Sequence, residues 1–149
     1  MEEYEYSKVV DNLDKYINYC NDNGYILSVS NQVRTIYRNN GLMARITIND
    51  IDGVVTKELD FKEDKLSDSE LIVRKESMAL EFNDDNVVES ILDFLNYKKD
   101  NTLIRKRYTY IKDDIKFELD EYSSPDKKLV ASIEGNKEIV DKIWNELNQ

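Results

Sequence analysis

Residues 104–120, IRKRYTYIKDDIKFELD, carry the pattern that decides the fold. Arg105 and Arg107 alternate with Ile104, Tyr108 and Tyr110. Beyond Asp113-Asp114, Lys116, Glu118 and Asp120 alternate with Ile115, Phe117 and Leu119. Successive side chains of a strand point to opposite faces, so each run has one apolar and one charged face. The same alternation recurs on both sides of this stretch. Ala44, Ile46 and Ile48 oppose Arg45, Thr47 and Asn49, and Val55, Leu59 and Phe61 oppose Glu58, Asp60 and Lys62. Asp52-Gly53 supplies a hairpin turn between those two runs. Leu129, Ala131 and Ile133 oppose Ser132 and Glu134, and Tyr4 and Tyr6 oppose Glu3, Glu5 and Ser7. Ile72, Arg74, Glu76 and Met78 form a weaker example.

An antiparallel sheet with one solvated face would alternate in the same way. The charges themselves point elsewhere. Residues i and i+2 of a strand lie about 7 Å apart on one face, where like charges repel unless something of opposite sign sits between them. Glu-x-Glu pairs suit a divalent cation, and Arg-x-Arg pairs suit a polyanion. Many such strands and few helices suggest a sheet curled into a barrel, with helices on the apolar exterior and charges inside. An interior so charged must be wet or filled by ligand, because dry burial of many ions is too costly.

Three segments have helical period. Leu13, Tyr16, Ile17 and Cys20 share a face, with Asp11 as the expected N-cap and Gly24 as the stop. Val88, Ile91, Leu92 and Leu95 form a second stripe, opened by Asn83-Asp84-Asp85 and closed near Asn96. Ile139, Val140, Ile143, Trp144 and Leu147 form a third behind Asn136. Cys20 and Trp144 read as buried packing residues. No linker divides the chain, and Pro125, the only proline, reads as part of a turn.

The chain has 149 residues, 31 acidic and 21 basic, for a net charge of −10, with ten tyrosines, one cysteine and no histidine. One domain spanning 1–149 is expected. A single cysteine excludes an internal disulfide, and the missing histidine excludes Ser-His-Asp and Cys-His nucleophiles and zincin sites. Chemistry must then rest on carboxylates, Lys, Arg, hydroxyls or an oxygen-bound metal. The net acidity argues against general nucleic-acid binding but leaves room for a local basic pocket. No signal peptide or membrane-length apolar run is visible, so a cytoplasmic protein without membrane contact, monomeric or homodimeric, is expected.

In this order the residues resemble the CYTH superfamily, the triphosphate tunnel metalloenzymes. Glu3-Tyr4-Glu5 sits where the family has a Glu-x-Glu strand, and Gln32 to Arg38 (QVRTIYR) where it has a Gln and an aromatic. Ala44-Arg45-Ile46-Thr47 is similar to its Leu-Arg-x-Arg strand. Glu58 to Lys62 resembles the strand ending in a phosphate-binding lysine, and Arg74-Lys75-Glu76 its Arg-x-Glu. Residues 91–122 match its helix, basic-x-Arg strand, hairpin and Leu-Asp strand, and Ala131 to Glu134 its last strand.

The resemblance implies an α+β fold, an eight-stranded antiparallel β-barrel with about three helices outside, that binds a triphosphate-containing small molecule lengthwise. It implies phosphate contacts from Arg45, Lys62, Arg74, Arg105 and Arg107, and Mg²⁺ or Mn²⁺ held by Glu3, Glu5 and Glu134. Glu5, Arg107 and Asp120 would be the catalytic residues, with Glu76 and Lys116 supporting. The implied activity is hydrolysis of inorganic triphosphate, a nucleoside triphosphate or thiamine triphosphate. A class IV-type adenylyl cyclase and a non-catalytic nucleotide- or polyphosphate-binding module are the alternatives. The sequence departs from the pattern at Ser7 (usually Lys), Thr47 (usually Arg) and Ser132 (usually Glu), with Arg34, Arg38 and Lys116 as candidate substitutes.

Overall fold

Each charged residue that alternates along a strand meets a partner of the same parity on the next strand, and that register closes the sheet on itself. A computed structural model describes residues 2–149. In chain order the elements are β1 (Glu2–Val10), α1 (Asp14–Asp22), β2 (Ile26–Asn39), β3 (Leu42–Ile51), β4 (Val54–Glu63) and β5 (Leu71–Lys75). There follow β6 (Leu80–Glu81), α2 (Asp85–Phe94), β7 (Lys98–Lys112), β8 (Ile115–Ser124), β9 (Lys128–Glu134) and α3 (Lys137–Leu147). Among the described residues the strands form one antiparallel sheet in the order β5-β1-β9-β8-β7-β2-β3-β4-β6.

The strand count is nine where eight were expected, and the difference has a local cause. After pairing with β1, the chain beyond β5 crosses to the free edge of β4. There Glu76 bridges Lys62, the Ser77 N–H donates to the Phe61 carbonyl at 2.8 Å, and β6 pairs Leu80 with Leu59. β5 and β6 thus act as one interrupted strand that joins the two edges of the sheet. The interruption also ends the alternation early, and Met78 lies exposed outside the wall.

The apolar exterior is covered in two places. α1 and α3 lie over β7, β8 and β9, burying Tyr16, Cys20, Val140 and Trp144 against Phe117, Leu119, Ala131 and Ile133. The Trp144 ring stacks on Tyr6 and Tyr16, at centroid distances of 5.5 and 5.8 Å, and its Nε1–H donates to Glu70 at 2.9 Å. α2 places Val88 and Leu92 on Ala44 and Leu59. Each of the larger aliphatic side chains among them, such as Leu92, Leu119 and Ile133, contributes roughly 1.5–3 kcal/mol.

Asn136 caps α3 as expected, and within the Asn83-Asp84-Asp85 opening it is Asp84 that caps α2, each accepting two backbone N–H bonds. α1 differs. Its N-cap position is Leu13, and Asn12, not Asp11, accepts the Asp14 N–H at 2.6 Å.

Gly135, between β9 and α3, has φ of +147°, and a Cβ there would lie 2.8 Å from the Asp114 carbonyl oxygen and 2.7 Å from Ile115 Cδ1. Backbone strain and the clash together set the expected loss for Gly135→Ala at about 2–4 kcal/mol. Chemical denaturation checks this; an unchanged midpoint would show that the β9–α3 turn relaxes freely.

Candidate functional site

The curled sheet encloses a cavity of about 560 Å³ lined by eight basic and eight acidic side chains. Each strand contributes its charged parity. β3 and β4 bring Arg45 and Asp60 face to face, and Arg45 holds both Asp60 oxygens, with its Nε–H donating at 2.8 Å, while Nη2 also donates to Glu76 at 2.8 Å. β7 and β8 do the same for Arg107 and Asp120, with two donated bonds of 2.8 and 2.9 Å and a third to Glu118 at 2.7 Å. Bidentate pairs of this kind are the strong form of ion pair. The surrounding charges set their pKa values. Burial opposes ionisation of Glu118, but Arg107 and then Lys116 pull it down to about 2. Burial likewise works against Arg107, and Glu118 and Asp120 overcome it and raise its pKa.

Carboxylates gather at one end. Glu3, Glu5 and Glu134 place one oxygen each within 4.8 Å of one another. β1 supplies the first two from the same face, and the β1–β9 register sets Glu5 opposite Glu134. Lys62 Nζ donates to Glu3 at 2.6 Å, Arg74 Nη2 to Glu5 at 3.4 Å, and Lys116 Nζ lies 2.7 Å from Glu134. Burial, with further repulsion from Glu3 and Glu118, raises the Glu5 pKa despite Lys62. Glu76, half-buried and beside Glu3, is pushed up to about 7. Three hard oxygen donors at this spacing fit Mg²⁺ or Mn²⁺.

The two mouths differ. Glu2, Glu76, Asp113, Asp114 and Glu134 surround the carboxylate end. The other opens into a groove of about 830 Å³ with Val33, Ile48, Val55, Ile104 and Leu129 on its walls, and Gln32, Arg105 and Tyr122 line both groove and lumen.

The residues named from sequence come together here. Glu3, Glu5, Arg45, Lys62, Arg74, Glu76, Arg105, Arg107, Lys116, Asp120 and Glu134 all line the one cavity. Of the candidate substitutes, Arg34 and Lys116 line it too, whereas Arg38 does not. Arg38 is exposed, beyond the irregularity in the β2–β7 pairing at Ile36/Tyr37, and paired with Asp64 and Asp100. Ser7 and Ser132 do face inward, and their hydroxyls hydrogen-bond to each other at 2.9 Å. The site also contains residues to which the sequence assigns no role: Asp60 and Glu118, inward by parity, and Gln32 and Tyr122, which hold Arg105 at 2.7 and 2.9 Å. Tyr122 shares the parity of Lys116, Glu118 and Asp120 on β8, which is the signal that could have found it, whereas Gln32 stands on β2, where apolar residues fall on both faces.

No protein-family model and no curated protein sequence matches the chain. Solved structures do. PH1819 from Pyrococcus horikoshii OT3 superposes with a TM-score of 0.71 at 19% identity, over 98% of this chain and 88% of that one. HpAC1 from Hippeastrum, studied as a candidate adenylyl cyclase and described as having a dominant triphosphatase activity, gives 0.64 at 13% identity, with 98% and 88% covered. A candidate adenylate cyclase from Vibrio parahaemolyticus gives 0.60 at 13%, with 97% and 83% covered. The fold is therefore the CYTH-like fold. Among the described residues no helix is long and apolar enough to cross a membrane.

The titrations above have a measurable consequence. Glu76 keeps its proton to higher pH in the fold than its ordinary value of 4.5. The native state then holds more protons than the unfolded one between about pH 4.5 and 7, so stability falls as pH rises through that window and levels off above it. Glu118 has the opposite sign, with stability lost as pH drops from 4.5 toward about 2. In chelator, the melting temperature should peak near pH 4.5–5 and fall on the order of 5 °C by pH 7.5. Glu76→Gln should flatten that fall, and an unaltered slope in the variant would dissociate it from Glu76.

Proposed function

We propose that the chain is a metal-dependent hydrolase of triphosphate-containing compounds, which bind along the tunnel. The observation that carries this reading is the convergence in one enclosed cavity of five expected phosphate-binding cations with a trio of carboxylate oxygens at metal-binding spacing. Glu3, Glu5 and Glu134 would hold the metal, which when bound supplies charge neutralisation at the phosphate oxygens. Arg45, Lys62, Arg74, Arg105 and Arg107 would bind and align the phosphate chain. Phosphoryl transfer asks a protein chiefly for alignment and charge stabilisation, which a fixed lattice of arginines supplies. Asp60, Glu118 and Asp120 keep those guanidiniums aimed into the lumen. Water attacking the terminal phosphorus would break the bond to the bridging oxygen, leaving phosphate and the shortened chain. Lys62, bonded to Glu3, and Arg74, bonded to Glu5, must exchange those partners for phosphate oxygens when substrate enters.

A second reading, a module that binds polyphosphate without turnover, is favoured by the Ser7–Ser132 hydrogen bond, which puts a neutral pair where the resemblance expects a lysine and a glutamate. A panel of inorganic triphosphate, ATP and thiamine triphosphate, each with Mg²⁺ and with Mn²⁺ and scored for phosphate and pyrophosphate, separates the readings. Phosphate release supports hydrolysis, cyclic AMP with pyrophosphate means cyclisation, and binding without product means a module. If the chain hydrolyses, Glu5→Gln should lower kcat on the order of 100-fold while substrate affinity changes far less. Equal turnover in that variant would remove the proposed metal site.

A further inference from the structure

Among the described residues, two guanidiniums of the lumen have no carboxylate closer than 4.0 Å. Arg34, on β2, donates its Nε–H to Thr47 Oγ1 at 2.9 Å. Among the described residues its terminal nitrogens have no hydrogen-bond partner, and no carboxylate oxygen lies within 4.0 Å. Arg105 donates to Gln32 and to the Tyr122 hydroxyl, has Asp120 no closer than 4.0 Å, and keeps a buried Nη2 without any partner. Arg45 and Arg107, by contrast, each hold two carboxylates.

Strand register brings the pair together. Gln32 is the β2 partner of Arg105, and Arg34 is two residues further along the same face, about 7 Å away. Arg34 is also the register partner of Thr47 on β3, the position where the resemblance expects the second arginine of an Arg-x-Arg pair. The guanidinium missing from β3 is thus delivered into the same part of the lumen from the strand beside it. Burial and the neighbouring Arg105, Arg45 and Arg107 push the Arg34 pKa well below the ordinary arginine range. Burial and Arg107 lower that of Arg105. Arg34 is not repaid by the folded chain, since only a hydroxyl holds it, and its place beside a like charge costs stability.

We propose that Arg34 and Arg105 form a binding site for a tetrahedral oxyanion, one phosphate group of the polyphosphate chain, and that this site requires no metal. The assignment rests on the polyphosphate reading of the lumen. It divides the tunnel into two kinds of grip. The carboxylate end needs a divalent cation before it can tolerate a phosphate, whereas the Arg34–Arg105 end takes an anion directly by charge-assisted hydrogen bonds.

The test measures binding of inorganic tripolyphosphate by calorimetry, in EDTA and in Mg²⁺, together with the ligand-free melting temperature. It uses the native chain, Arg34→Met and the double variant Arg34→Thr/Thr47→Arg. The native chain should bind in EDTA. Arg34→Met should weaken binding about 10- to 100-fold in both buffers, and its ligand-free melting temperature should rise because a like-charge contact is gone. The double variant, with the guanidinium returned to β3, should recover most of the lost affinity. Native affinity in Arg34→Met would overturn the assignment and leave the polyphosphate reading standing; absence of binding by the native chain in either buffer would overturn both. Binding by the native chain only with Mg²⁺ would overturn the metal-free site. A fall in melting temperature alongside affinity would make Arg34 a support of the fold, and a double variant no better than Arg34→Met would overturn the exchange of positions.

Discussion

Arg45 faces Asp60 across β3 and β4, and Arg107 faces Asp120 across β7 and β8; the wall of the tunnel depends on these two pairings. A buried ion costs several kcal/mol unless an opposite charge with good geometry repays it. Here the repayment comes from residues directly opposite in the ladder, so the register that pairs the charges is the register that buries Leu59, Phe117 and Leu119 outside. A slip of one residue in either hairpin would send the charges into the apolar layer and the apolar residues into the lumen. The turns hold it in place, since Asp52, Gly53 and Asp113 adopt the positive φ values that tight hairpins require.

The same pairing reshapes what the net charge means. The chain carries −10, yet basic and acidic side chains in the lumen are equal in number, so the whole excess lies on the outer surface. A polyanion is repelled by most of this protein and meets a balanced field only inside. The balance is uneven along the tunnel, with carboxylates clustered toward one mouth and the arginines that lack a close carboxylate toward the other.

The sequence showed most of the wall because strict alternation survives wherever one face is packed and the other charged, as in 104–120. It showed the caps of α2 and α3 because Asp84 and Asn136 stand directly before periodic apolar runs. It failed where geometry is set by distant partners. The crossing of the chain from β1 to β4 after Lys75 depends on Glu76 and Ser77 meeting Lys62 and Phe61, which no local pattern announces. Arg34 was harder still. In QVRTIYR the apolar residues fall on both faces, since Ile36 turns inward while Tyr37 packs under α2, so parity alone gave no side to the arginine. Asp11 and Asn12 are both good capping residues, and only the path of the chain chose between them.

The interrupted strand is also the thinnest part of the wall. Elsewhere neighbouring strands share ladders of five or more register pairs, but between Lys75 and Phe82 the closure rests on a backbone bridge, a two-residue ladder and side-chain bonds from Glu63 and Ser77. Local opening costs least where the fewest backbone bonds must break together. When the wall loosens it should therefore loosen here first, along the edge of β4 that carries Lys62.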